Sequence, residues 1–399
     1  MPTVCPDPLA ESCGSWKMRT VRLRIAVLSF SWLARDPRLQ RQFAALAGDH
    51  EVVAIGFGSS GHPAVRTVAI PLRARSWPAK AALAARLLLR DHRAAYWSTQ
   101  HVRAACAALR CAAWDLIIAN DLDALPAALT GAGAAPVIFD AHEYAPRELE
   151  ESWWWRLLWA PHRRQLCRDT LPRCAAMMTV SPGIAHAYAR LGGPTPHLVL
   201  NAPPFQQLAP SPPGSGPIRL VHHGVALRIR QLGSVLAAVR ALGEGFTLDL
   251  LLVPGDPGHL EELQRLAAGC TRIRFLPPVP LADIVATLNR YDLGVHLLPL
   301  TSFNNCHALP NKLFEFIQAR LGVIVGPSPA MAGIVRRRGV GAVTQGCGVG
   351  DLVRVLSSVT TADVARWKAA ADAAAGELSA GHGLATIRSM VDSVVRRER

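Results

Sequence analysis

The strongest constraint on this chain is a rhythm. Short apolar runs recur, each closed by a small or polar residue and followed by an alanine-rich segment with helical spacing. The first series comprises LRIAVLS (23–29), HEVVAIGFG (50–58), WDLIIAN (114–120), PVIFDAH (136–142), AAMMTVS (175–181) and PHLVLNA (196–202). A second comprises IRLVHHG (218–224), FTLDLLLVPG (246–255), RIRFLPPVP (272–280), DLGVHLLPL (292–300), LGVIVGPS (321–328) and VGAV (340–343). Uninterrupted apolar runs mark strands covered on both faces, and their alternation with helices marks parallel β/α sheets. Between the two series lies PPFQQLAPSPPGSGP (203–217), too rich in proline and glycine to sustain a helix or a central strand. The expected fold is α/β: two doubly wound, Rossmann-like domains facing a cleft, with ligands beyond the carboxyl ends of the strands. The expected boundaries are a flexible N-terminus at 1–20, a first domain at 21–202, a linker at 203–217 and a second domain at 218–360. Helices at 361–399 should cross back to the first domain.

Composition narrows the class. Half of the 399 residues are hydrophobic and only 18% are charged, which excludes extensive disorder. The formal net charge of +14 favours phosphate-bearing partners: nucleic acid, anionic lipid or phosphorylated small molecules. Nine cysteines without a C-x-x-C pair suit reduced thiols in a cytoplasmic setting. The first residues lack the apolar core of a signal peptide, and no window is long and apolar enough to span a bilayer.

Familiar phosphate motifs are missing. SFSWLARDP follows the first strand where a dinucleotide site would carry G-x-G-x-x-G, and there is neither a Walker A sequence nor a G-x-S-x-G elbow. Instead, PNKLFE (310–315) starts a helix before a buried strand. A helix start at a cleft offers free N–H groups and a positive dipole end to a diphosphate. Lys312 would add a point charge there, and Glu315, one turn on, could accept hydrogen bonds from a ribose diol. The same two residues also suit an ordinary solvated helix face.

ALPNKLFEFIQARLGVIVGPSP (308–329) resembles the C-terminal nucleotide-sugar motif of the GT-B glycosyltransferases, most of all glycosyltransferase family 4. The likeness extends in order from about residue 22 to the end. DPRLQRQFAAL resembles the family's opening loop and first helix, FDAHEY its D-x-H-E strand end, and TVSPGIAHAY its V-S-x-x-x-A segment. LVLNAPP, LVHHG and LDLLLVPG are similar to the strands that lead into the linker and open the nucleotide-binding domain. The resemblance implies that Glu315 and Asn311 hold the donor, that Lys312 and one of Arg228 or Arg230 neutralise the leaving diphosphate, and that Gly224 lets the backbone approach it. It implies that His142 stands against the donor sugar, with Asp140 and Glu143 on the acceptor side. It also brings one departure: His307 occupies the position of the first of two spaced glutamates in many members.

The activity so implied is transfer of a sugar from a nucleotide-sugar donor to a glycan or lipid-linked acceptor, with retention, no cofactor and no metal, and with no nucleic acid as partner. Two other readings use the same architecture: a sugar-nucleotide epimerase with Glu143 among its carboxyls, and a silent binding module, to which His307 points. The D-x-D at 121–123 suits a helix cap or a loop acid at Asp121 better than a metal site. His222, His223, His142 and Glu143 lack the spacing of a metal cluster.

A last feature stands apart from the chemistry. Trp153, Trp154 and Trp155 are consecutive, so on a helix they sweep nearly 300° at about 100° per residue and cannot all be buried on one stripe. Arg86, Arg90 and Arg93 have the spacing of a single helix face. Aromatics beside arginines suit an anionic membrane surface, and the expectation is a cytoplasmic protein peripheral to the inner face of the membrane.

Overall fold

A computed structural model describes residues 22–398. The expected N-terminal segment 1–20 lies outside the described residues. The first domain is a seven-stranded parallel sheet of β1 (Arg24–Trp32), β2 (Glu51–Phe57), β3 (Val65–Ala69), β4 (Leu116–Asn120), β5 (Val137–Ala141), β6 (Ala176–Thr179) and β7 (His197–Leu198), in the order β3-β2-β1-β4-β5-β6-β7. The second is a six-stranded parallel sheet of β8 (Ile218–Val225), β9 (Phe246–Val253), β10 (Ile273–Leu276), β11 (Leu293–His296), β12 (Gly322–Val325) and β13 (Gly341–Val343), in the order β10-β9-β8-β11-β12-β13. In both sheets the order reverses beside the first strand, which opens a crevice at its carboxyl end. The one strand without a counterpart in the sequence reading is β3. Its VRTVA buries only Val65 and leaves the rest half-buried or exposed, as a short edge strand does, so no apolar run marks it in the sequence.

The linker has no regular structure but is not loose. Gln206 is bonded through its N–H to Gln318 Oε1 at 3.1 Å and through its carbonyl to the buried Arg320 at 2.8 Å, and Arg320 also lies over the Phe205 ring. The return crossing comes later than the sequence suggested. Helix Thr361–Ala375 stays with the second domain, anchored by buried Lys368, whose ammonium donates to the Tyr291 carbonyl at 2.6 Å. The chain crosses where Ala380 N–H meets the Pro203 carbonyl at 2.8 Å. Helix Ala380–Glu398 then packs Ile387, Met390, Val391 and Val394 into the first-domain core beside Leu39 and Phe43. Full burial of such side chains contributes roughly 1.5–3 kcal/mol each, enough to fix the helix there.

Candidate functional site

Between the domains lies a cleft of about 740 Å³. Its second-domain wall starts at β8, a central strand whose alternation sends His222 and His223 to opposite faces. His222 turns inward, Nδ1 2.7 Å from the Val295 carbonyl, while His223 Nε2 lies 3.2 Å from a Glu315 oxygen. Burial pushes both imidazoles down, so each is neutral near pH 7. Gly224 follows with φ +104°, a conformation open to glycine. A Cβ there would stand 2.6 Å from Lys312 Nζ and 3.4 Å from Arg230 Nη1. Two cations thus converge on a bare stretch of backbone.

Helix Asn311–Gln318 sets the other half of this wall. Leu313, Phe314, Phe316 and Ile317 are fully buried, and this leaves Asn311, Lys312 and Glu315 along the cleft. Lys312 is itself nearly buried, and burial, reinforced by Arg230, pushes its ammonium down to about 7. Arg230 Nη1 is buried without a hydrogen-bond partner, and burial lowers its pKa too. A buried, unpaired cation is costly and calls for an anion.

The first-domain wall is arranged differently. His142 follows the end of β5 and is enclosed, Nε2 3.0 Å from Asp140 and Nδ1 3.0 Å from Asp121. Burial opposes its charge, but the two carboxylates prevail and hold it at about 9, so the ring is an imidazolium. Asp121 is not the cap expected from the sequence. Asn120 is the N-cap residue, and Asp121 adopts φ +63°, turning its carboxylate to His142. Asp140 is buried, accepting from Gln42 at 2.7 Å, and is withdrawn from the acceptor side assigned to it. His142 likewise does not line the cleft. The residue that does is Glu143, whose carboxyl is pushed up by desolvation and by Asp121. Thr179 and Tyr188, in the segment TVSPGIAHAY, hold this tip by donating to the carbonyls of Ala141 at 2.6 Å and Glu143 at 2.9 Å.

Two further placements differ from the sequence reading. Arg228 points out of the cleft, pairing with Glu262, while its N–H binds Asp256 at 2.7 Å, so Arg230 is the arginine of the site. His307 lies against the first domain: a Cβ on Gly183 would fall 1.9 Å from its ring, and Phe303 covers it at 4.4 Å. It belongs to an interdomain contact in which Tyr144 N–H binds Asn304 Oδ1 at 2.8 Å and Phe303 N–H binds Glu150. Sequence reasoning overlooked Arg35, Asp36, Arg38 and Asn201, all on the cleft. The signal was present: ARDPR sits at the carboxyl end of β1, where Asp36 caps helix Pro37–Leu46 and Arg38 turns back to it at 3.3 Å.

No family model matches the chain, and no curated protein does. Solved structures do. Anabaena HepE, determined with UDP and glucose, superposes with a TM-score of 0.66 at 16% identity over 94% of this chain and 100% of that one. Sucrose-phosphate synthase from Thermosynechococcus elongatus gives 0.66 at 13% identity over 94% and 97%. The α,α-trehalose 6-phosphate synthase of Burkholderia multivorans gives 0.67 at 12% identity over 95% and 100%. The fold is GT-B. In GT-B terms, the unpaired cations lie on the second-domain wall at the sheet's switch point, and Glu143 faces them from the first.

The tryptophans and the basic segment also have definite places. Trp155 is buried, whereas Trp153 and Trp154 are 55% and 56% exposed and stack on each other at 3.7 Å. Arg86, Arg90 and Arg93 do not share one helix face. Helix Trp77–Leu88 ends before Arg90, whose φ of +58° breaks it, and Arg93 lies on helix His92–Trp97. Arg90 donates to the Leu157 carbonyl at 3.0 Å, which joins this turn to the tryptophan helix Trp153–Thr170. The exposed Leu88, Leu89, Trp153, Trp154 and Leu157 therefore come together with Arg90 at one end of the first domain.

Proposed function

We propose that this protein is a glycosyltransferase that uses a nucleotide-sugar donor. The observation that carries the reading is the convergence of Lys312 Nζ and Arg230 Nη1 over Gly224, with Glu315 one turn along the same helix. The donor diphosphate lies against Gly224, where the two cations meet its charge without a metal ion. Glu315 accepts from the ribose hydroxyls. The base enters the adjoining cavity of about 490 Å³, bounded by Arg41, Pro204, Leu281 and Val285 and sharing Asn311 and Glu315 with the cleft. HepE has been solved with UDP-glucose, which supports this class of donor.

In transfer, the bond from the anomeric carbon to the β-phosphate oxygen breaks and a bond to an acceptor hydroxyl oxygen forms. Negative charge grows on the departing diphosphate, where a preorganised lysine and arginine stabilise it most. The acceptor hydroxyl attacks on the face the diphosphate leaves, and its proton passes to that diphosphate, so the anomeric configuration is retained. Glu143 orients the acceptor. His142 acts indirectly, fixing the strand tip that presents Glu143.

UDP, GDP, ADP and their glucose conjugates should be screened by thermal shift, since a ligand of the folded state raises its stability by mass action. One of them should stabilise the wild type, and Lys312→Ala should lose that response and about 10²–10³-fold in transfer rate. An unchanged response in Lys312→Ala, or free epimerised sugar nucleotide as product, overturns the reading.

The exposed tryptophans, leucines and arginines rest on an anionic membrane at its inner face, where a lipid-linked acceptor is within reach. No helix among the described residues is long and apolar enough to cross a membrane, so contact would be peripheral. In flotation, the chain should stay with anionic vesicles and leave zwitterionic ones; equal retention overturns the membrane contact.

A further inference from the structure

The donor site makes no use of His307, which does not line the cleft. It ends the short helix Phe303–His307, and the second domain secures that helix at both ends. Buried Ser302 accepts from the Asn305 N–H at 3.2 Å, and buried Ser328 donates to the carbonyls of Asn305 at 3.1 Å and Cys306 at 3.0 Å. The outward side of the helix grips the first domain. Buried Asn304 accepts from the Tyr144 N–H at 2.8 Å through Oδ1, and its Nδ2 donates to the carbonyls of Tyr144 at 3.4 Å and Arg147 at 3.5 Å. A side-chain amide that pairs with both groups of one residue fixes that backbone in place and in orientation. The Phe303 N–H binds Glu150, its ring meets Tyr144 and the Arg147 guanidinium, each at 5.0 Å, and Thr301 donates to Glu151 at 3.2 Å.

The tightest contact is at Gly183, near the start of helix Pro182–Ala189. Its φ is not positive, so the backbone does not require glycine, and alanine suits a helix better. A Cβ there, however, would fall 1.9 Å from His307 Nδ1 and 2.5 Å from its Cγ and Cε1. The missing side chain makes room for a ring from the other domain. That ring is backed by Phe303 at 4.4 Å, which limits where it can turn.

Both sides of this contact run directly into the cleft. Tyr144 follows Glu143, and His307 stands just before Pro310, which opens the helix of Lys312. Helix Pro182–Ala189 also carries Tyr188, whose hydroxyl donates to the Glu143 carbonyl at 2.9 Å and accepts from the Ala145 N–H at 3.0 Å. Asn304 therefore holds the loop after Glu143, while His307 holds the helix that pins Glu143 from behind. Every bond in the contact joins protein groups, so it needs no donor to form.

We propose that helix Phe303–His307 is an interdomain clamp, in which Asn304 and His307 are positioning residues that set Glu143 opposite Lys312 and Arg230 before a donor binds. Its effect on transfer rests on the glycosyltransferase reading, whereas closure of the two domains does not. Where packing leaves no space, one added methyl group forces a shift, and here the shift separates the walls.

The test is Gly183→Ala in the full chain, read by small-angle X-ray scattering and by UDP release from UDP-glucose. The variant should have a larger radius of gyration than the wild type and a turnover about 10–10²-fold lower. Its UDP affinity should stay within about twofold, because the groups that meet the diphosphate are untouched. Removing the ring that the methyl group strikes should repair the damage: Gly183→Ala/His307→Ala should regain the wild-type radius and most of the lost turnover. Asn304→Ala adds no atoms, and it should move both readouts in the same direction by a smaller factor. A Gly183→Ala or Asn304→Ala chain that scatters like the wild type overturns the clamp. So does a double variant no better than Gly183→Ala alone. UDP affinity that falls as far as turnover overturns the positioning role, as does a His307→Ala chain that loses affinity for UDP-glucose but not for UDP, which would make His307 a contact of the donor sugar. If UDP binds to none of these proteins, the donor reading fails, and scattering by itself decides the clamp.

Discussion

The two walls of the cleft handle charge in opposite ways. On the second-domain wall, Lys312 is buried and Arg230 half-buried, Arg230 Nη1 is enclosed without a partner, and both point at a glycine that leaves room for something else. On the first-domain wall, the charges have already found each other: His142 lies between Asp140 and Asp121, and Asp140 also accepts from Gln42. The contrast separates binding from scaffolding. An incomplete set of charges is completed by ligand, whereas a complete set fixes geometry and presents a neighbour. That neighbour is Glu143.

The largest expected effect tests the scaffold. Asp121 and Asp140 hold the folded His142 imidazole at about 9, above the ordinary 6.5 of a free histidine. A group raised on folding contributes stability that is fully present below its unfolded pKa and is lost as pH rises through the folded one. The imidazolium should thus stabilise the fold at pH 6 by about 3 kcal/mol relative to pH 10, on the order of the pKa difference converted to energy. Urea unfolding of wild type and His142→Gln across that window measures it. The wild type should lose the increment between pH 6.5 and 9, and the variant should lack that slope. Equal slopes would mean that His142 is neutral and that the wall is not charge-complete.

Much of this arrangement was legible in the sequence, for identifiable reasons. Strands β1, β4 and β12 are built on uninterrupted apolar runs because both their faces are covered, so pattern alone finds them. PNKLFE betrayed the second-domain wall because its cleft residues lie within one helical turn and a half. The first-domain wall was harder to read. Its key partner, Asp121, opens the helix that follows β4 directly, and nothing local in DLDAL says that the first aspartate adopts positive φ and reaches the residue after β5. His307 was misplaced for a similar reason: its contact is Gly183, far away in sequence, on the other domain. Spacing along a helix is a local property. Closure between elements that meet only in the folded chain is not.

The smaller effect sharpens the binding wall. Arg228 and Arg230 are two residues apart after β8, and from the sequence either could reach a phosphate. In the fold, the turn Arg228–Arg230 sends them apart. Arg228 reaches Glu262, with its side chain 55% exposed, while Arg230 enters the cleft. An exposed ion pair is screened by solvent and contributes little, so Arg228→Ala should leave the urea midpoint nearly unchanged and UDP affinity within about twofold of wild type. Arg230→Ala removes a half-buried charge aimed at the diphosphate and should weaken UDP binding about tenfold, the lower range for a charged hydrogen bond. Uridine separates charge from base recognition: its affinity should be unaffected by Arg230→Ala, because it carries no diphosphate. If both arginine variants weaken UDP alike, the site draws on a diffuse positive field. If only Arg230→Ala does so, and uridine is indifferent, recognition depends on the guanidinium whose buried Nη1 has no hydrogen-bond partner in the fold.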